Sequence, residues 1–130
     1  MFYTFSYTPD AGDTEASPHE LTMKLTAGVI HQVDILFQDG CDHEIFVQVY
    51  DDNFQLWPSN RGESLRGNAT VVSFREFFEL IPGNTVLTVK IWTTLAADFK
   101  EILINIGLLP KAIVMPFSFE ELLAAALEVE

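Results

Sequence analysis

The chain has 130 residues, 48% of them apolar, including eleven Phe, so one domain with a sizeable core is expected and wholesale disorder is excluded. Its formal net charge is −12, from seven Lys and Arg against nineteen Asp and Glu. That balance argues against binding nucleic acid through phosphate contacts and against docking on an anionic membrane. Cys41 is the single cysteine, so no disulfide framework is expected within the chain. The first residues lack a basic, long-apolar leader, and no apolar run approaches the ~20 residues that span a bilayer, so a cytosolic folding site is expected.

Alternation with a period of two dominates the chain. Tyr3, Phe5 and Tyr7 alternate with Thr4 and Ser6. The polar stretch from Pro9 to Pro18 then reads as a loop, which makes residues 1–19 an N-terminal arm and loop. The body spans residues 20–110. Leu21, Met23 and Leu25 alternate with Thr22, Lys24 and Thr26, and Ala27-Gly28 breaks the pattern. Val29, Val33, Ile35 and Phe37 are expected to face one way, with Gln32 and Asp34 opposite. Asp39-Gly40 marks a turn, and Ile45, Val47 and Val49 form the next inward face. Asp51-Asp52-Asn53 is a tight-turn signal, after which Phe54 and Leu56 open a short return strand that Pro58 ends.

Residues 58–68 read as a long exposed loop carrying Arg61 and Arg66. Val71, Val72 and Phe74 restart a strand, and Phe74–Leu80 fits either a strand or a helical turn. Pro82-Gly83 has the order a type II turn requires. Leu87, Val89 and Ile91, then Ile102, Ile104 and Ile106, give two further strands. Residues 111–130 form an extension in which Ser118 and Glu121 make a capping box. Leu122, Leu123, Ala126 and Leu127 share one helical face behind it. The expected fold is therefore all-β: an antiparallel two-sheet sandwich or jelly roll of about eight strands with a short C-terminal helix.

Few residues suggest chemistry. Cys41, His43 and the more distant His31, with Asp39, Asp42 and Glu44, contain metal-ligand types. A lone C-x-H without a second Cys/His pair is a weak zinc signal, and an acidic hairpin tip explains it as well. The carboxylates around Cys41 disfavour a thiolate nucleophile. Asp51-Asp52-Asn53 offers too few oxygens for a calcium loop. Glu76 and Glu79 are a formal acid/base pair with no supporting group. No Gly-rich phosphate loop, G-x-S-x-G elbow or H-E-x-x-H pair occurs. Neither a catalytic residue, a metal site nor a cofactor is expected. Trp57, Trp92 and Tyr50 are the aromatics from which a sugar-stacking platform would be built, although alternating aromatics usually belong to a core. Asn68-Ala69-Thr70 is a glycosylation sequon that matters only in a secretory pathway.

Several segments carry a family resemblance. They are Thr26-Ala27-Gly28-Val29-Ile30, Phe37-Gln38-Asp39-Gly40-Cys41, Gln55-Leu56-Trp57-Pro58-Ser59-Asn60, Phe74 to Leu80, and Ile104-Asn105-Ile106-Gly107-Leu108-Leu109-Pro110. In this order the stretch from Leu25 to Pro110 resembles small, uncharacterised proteins encoded among the virion genes of tailed bacteriophages. The resemblance covers about two-thirds of the chain, and Gln55 to Asn60 is its strongest element. It implies a non-enzymatic virion structural role, namely head decoration (cement) assembled in the host cytoplasm. The implied partner is the major capsid protein or another virion protein, with homo-oligomerisation compatible. Phe2, Tyr3, Phe5 and Tyr7, with Phe117, Phe119, Leu122, Leu123 and Leu127, are the apolar extensions expected to form the protein interface. The competing expectation is that both ends fold back on their own body. The alternative function is a carbohydrate-binding sandwich on a tail or cell surface.

Overall fold

A computed structural model describes residues 1–110 of the chain. Eight strands follow one another: β1 (Phe2–Tyr7), β2 (His19–Lys24), β3 (Gly28–Phe37), β4 (Ile45–Asp51), β5 (Phe54–Trp57), β6 (Thr70–Leu80), β7 (Val86–Thr93) and β8 (Ile102–Leu109). They form two four-stranded sheets, ordered β1-β8-β3-β6 and β2-β7-β4-β5, and all neighbours pair antiparallel. Successive strands mostly alternate between the sheets, which is the jelly-roll form of the sandwich.

The alternation read from the sequence creates the interior. Met23, Val33, Ile35, Phe37, Ile45, Val47, Val49, Leu87, Val89, Ile91, Ile102, Ile104 and Ile106 are all fully buried in one apolar cluster between the sheets. Aromatic contacts close both flanks. On one flank the Tyr7 ring of β1 stacks on His19 of β2, with centroids 3.7 Å apart. On the other flank Trp57 of β5 meets Phe74 and Phe78 of β6 edge-on.

Three expectations change and one open alternative is decided. Residues 2–7 do not lead away as an arm: β1 pairs with β8 from Phe2↔Gly107 to Tyr7↔Ile102. Tyr3, Phe5 and Tyr7 pack against the core because burying three rings stabilises the sheet more than displaying them. Phe74–Leu80 is strand throughout, since alternate residues from Val72 to Leu80 turn inward. The phase of β3 is also different. A bulge between Ile30 and Gln32 shifts the register, so Ile30 rather than Val29 joins the inner cluster. Finally, the stretch after Pro58 is largely tied down. Leu65 and Val47 exchange two backbone bonds, of 3.1 and 2.8 Å, and Gly67 is buried. The expected helix, with Ser118, lies outside the described residues.

Gly28 opens β3 at φ 153°, and a Cβ there would sit 2.7 Å from the backbone oxygen of Leu109. That oxygen belongs to a paired strand and cannot step aside. Gly28→Ala should therefore cost about 1–3 kcal/mol in chemical denaturation, the usual penalty for a forced backbone conformation.

Candidate functional site

The outer surfaces of the two sheets differ in chemistry. On the first sheet, the register aligns Ser6, Leu103, Leu36 and Val71 in one row across all four strands. The next row is Thr4, Asn105, Asp34 and Ser73. Here Gln32 Nε2 donates to Asp34 Oδ1 at 2.9 Å and to Ser73 Oγ at 2.8 Å, and the Ser73 hydroxyl donates to Asp34 at 2.5 Å. The third row runs Phe2, Gly107, Gln32 and Arg75. Phe2 is 70% exposed, Phe77 54% and Val71 51%. This face therefore combines a largely apolar row, a fixed polar cluster and large exposed side chains at both rims.

The second sheet carries aromatic side chains on its outer side, Phe46, Tyr50 and Trp92, with Phe54 and Val86 exposed, and its buried amides are bonded within the protein. Gln48 Nε2 donates to the Glu63 carbonyl at 2.8 Å, and Gln55 Nε2 donates to the Pro58 and Glu63 carbonyls at 2.8 and 3.2 Å. These two buried amides pin the loop after β5 over the sheet. Arg61 lies over Phe54, and Arg66 lies over Phe46 while donating through Nε to the His43 carbonyl. A shallow depression of about 460 Å³ lies beside Phe46, Trp92 and Arg66.

The candidate chemical groups do not converge. Among the described residues no set of three or more His, Cys, Asp or Glu is placed to share a metal ion. Cys41 is fully buried in the core, whereas His31 sits at the β3 bulge beside Phe2. His43 occupies a left-handed turn position and gives its backbone N–H to Gly67. Asp51, Asp52 and Asn53 make the β4–β5 hairpin turn, with Asp52 at φ 56°. Glu76 faces inward, where it accepts the Trp57 indole N–H at 2.8 Å, and Glu79 faces outward, so they cannot flank one substrate.

The three platform aromatics are likewise dispersed. Trp57 points into the interior, 3% exposed, and Trp92 is stacked on Phe46 and only 7% exposed. One face of Tyr50 is covered by the Lys90 ammonium, and its hydroxyl bonds Gln48. Asn68 of the sequon accepts backbone N–H bonds from Gly40 and Asp42. Of the expected interface residues, Phe2 is exposed, while Tyr3, Phe5 and Tyr7 face the core. Phe117, Phe119, Leu122, Leu123 and Leu127 lie outside the described residues. Leu36, Leu103, Val71 and Phe77 were not singled out as surface residues. The available signal was that Leu36 and Leu103 sit between residues already assigned inward.

Comparison with protein-family models, curated proteins and solved structures finds no match to this chain.

Two titratable groups are displaced from their ordinary range. Burial, reinforced by the hydrogen bond to Asp13, raises Tyr7 well above a free phenol. The folded state thus favours the protonated ring. Its contribution to stability is complete below the ordinary tyrosine value of about 10 and falls as the pH climbs beyond it. Tyr7→Phe should lower stability by about 1–2 kcal/mol, toward the low end for a half-exposed bond to a charged acceptor. It should also flatten the loss of stability above about pH 10 in pH-dependent denaturation.

Burial raises the Cys41 thiol as well. Iodoacetamide at mildly alkaline pH should therefore alkylate native protein at least about 100-fold more slowly than urea-unfolded protein, as followed by mass spectrometry.

Proposed function

We propose that this chain is a non-enzymatic structural protein of a tailed-bacteriophage virion, a head decoration that binds and stabilises the capsid shell. The observation that carries this reading is the half-apolar outer face of the β1-β8-β3-β6 sheet, with Phe2, Val71 and Phe77 standing out from its rims. A rigid body that presents such a face meets the need of a cement protein, which must adhere without remodelling.

Two further features support the reading. The jelly roll is an architecture that viral capsid proteins use, although lectins and cupins use it too, so the fold alone decides nothing. The segments that resemble phage virion proteins cover the two ends of β3, the β5–Pro58 corner, β6 from Phe74 and β8 from Ile104. β8, β3 and β6 are three of the four strands that build the proposed docking face. The acidic surface favours a shell patch that is apolar at its centre and basic around it. The carbohydrate reading loses ground because Trp57 and Trp92 are buried and Phe46 is held between Arg66 and Trp92.

Purified capsids should carry the chain in a fixed ratio to the shell protein, and its absence from particles removes the proposal. Val71→Ser with Phe77→Ser should weaken rebinding to stripped capsids by tenfold or more, equivalent to about 1.4 kcal/mol or more. The melting temperature should barely move, because both side chains are already exposed.

A further inference from the structure

The four outermost strands of the sandwich are not equally guarded. β5 has four residues, too short to template much pairing. β2 carries Glu20 and Lys24 on exposed positions. β6 is longer but irregular: its register against β3 shifts at the bulge, Glu76 points inward, and its carboxylate accepts the Phe77 backbone N–H at 3.0 Å. Charges, inward-pointing acids, bulges and short length all discourage edge-to-edge association. β1, Phe-Tyr-Thr-Phe-Ser-Tyr, has none of them.

The bonding pattern shows which groups of β1 are open among the described residues. Met1 and Leu108 exchange both backbone bonds, each 2.7 Å. In an antiparallel pair such exchanges recur at every second residue. Because the β1–β8 register runs without a shift, Tyr3, Phe5 and Tyr7 direct their N–H and C=O groups to β8. Phe2, Thr4 and Ser6 direct theirs away from the sheet, and all three are exposed.

We infer that β1 is a self-association edge, on which β1 of a second copy adds antiparallel across a twofold axis at Thr4. This register sets Phe2 against the second copy's Ser6, Thr4 against Thr4, and Ser6 against Phe2. All three outward-directed residues then lie in bonded pairs. Moving the axis by one residue, to Tyr3 or Phe5, leaves one of the three outside them. The same register places Tyr3 opposite Phe5 and Phe5 opposite Tyr3 in the close, non-bonded pairs, where aromatic side chains gain most. No charged side chain of β1 opposes a like charge, which matters for two copies that each carry −12. The result is one continuous sheet, ordered β6-β3-β8-β1-β1-β8-β3-β6, an isologous contact that closes on itself. The inference does not rest on the capsid-binding proposal.

The test uses the full chain. Sedimentation equilibrium at about 100 µM, enough to populate a dimer of roughly 10 µM affinity, should report a dimer. Thr4→Lys should raise its dissociation constant tenfold or more by opposing two ammonium groups, with the monomer still folded because Thr4 is exposed. Thr4→Cys gives a second readout. Paired Thr4 positions lie about 5.5 Å apart between Cα atoms, within disulfide reach, so mild oxidation should yield a covalent dimer. Ser6→Cys should not, because its own copy lies about four residues, or ~13 Å, along the strand. The buried Cys41 does not compete. A monomeric wild type, a dimer indifferent to Thr4→Lys, or equal cross-linking at both positions would overturn the assignment.

Discussion

Water exclusion between two pleated layers is the constraint on which the rest of this molecule depends. Each strand gives one side to the shared interior, and the buried cluster there is built mostly of Ile, Val and Leu. The ladders satisfy the backbone. Once the layers face each other, the remaining freedom is small: each outer face and each outermost strand is fixed by the same alternation that fills the middle. The flanks follow from this. A sandwich is open on two sides, and here Tyr7 with His19 covers one while Trp57 with Phe74 and Phe78 covers the other.

The Trp57–Glu76 contact shows how polar groups are tolerated at such a flank. An indole turned inward carries an N–H that must find a partner. Glu76 is turned inward on the neighbouring sheet and supplies the acceptor. Its second oxygen holds the backbone N–H of Phe77. One carboxylate therefore links the sheets and blunts the border of β6. On the outer face of the first sheet the internal side-chain bonding described is the Gln32, Asp34 and Ser73 cluster, and Phe2, Val71 and Phe77 stand exposed around it.

Much of the architecture was legible in the sequence, because a period of two is a local property. The strands ending in Phe37, Asp51 and Thr93 can be read from their own residues, and so can the turn at Asp51-Asp52-Asn53. What escaped depends on neighbours remote in sequence. The bulge at His31 and Gln32 resembles ordinary polar alternation until Gly107 faces both residues, where a Cβ would meet His31 and Gln32 atoms at 3.0 and 3.1 Å. Pairing of β1 with β8 joins the two ends of the described chain, so no local pattern announces it. The outer face of the first sheet was only partly visible. Leu36 and Leu103 interrupt the expected polar positions, but their shared row exists only once three strands are in register.

The loop after β5 has a consequence for recognition of any kind. Some dozen residues without regular structure are ordinarily a supple region whose ordering opposes binding. Here the amides of Gln48 and Gln55 grip its carbonyls from beneath, and Leu65 is stitched to Val47. The segment carrying Arg61 and Arg66 thus reaches an encounter already shaped. Whatever meets those two guanidinium groups finds them seated over Phe54 and Phe46 on a loop already tied to its sheet, and little entropy is left to lose there.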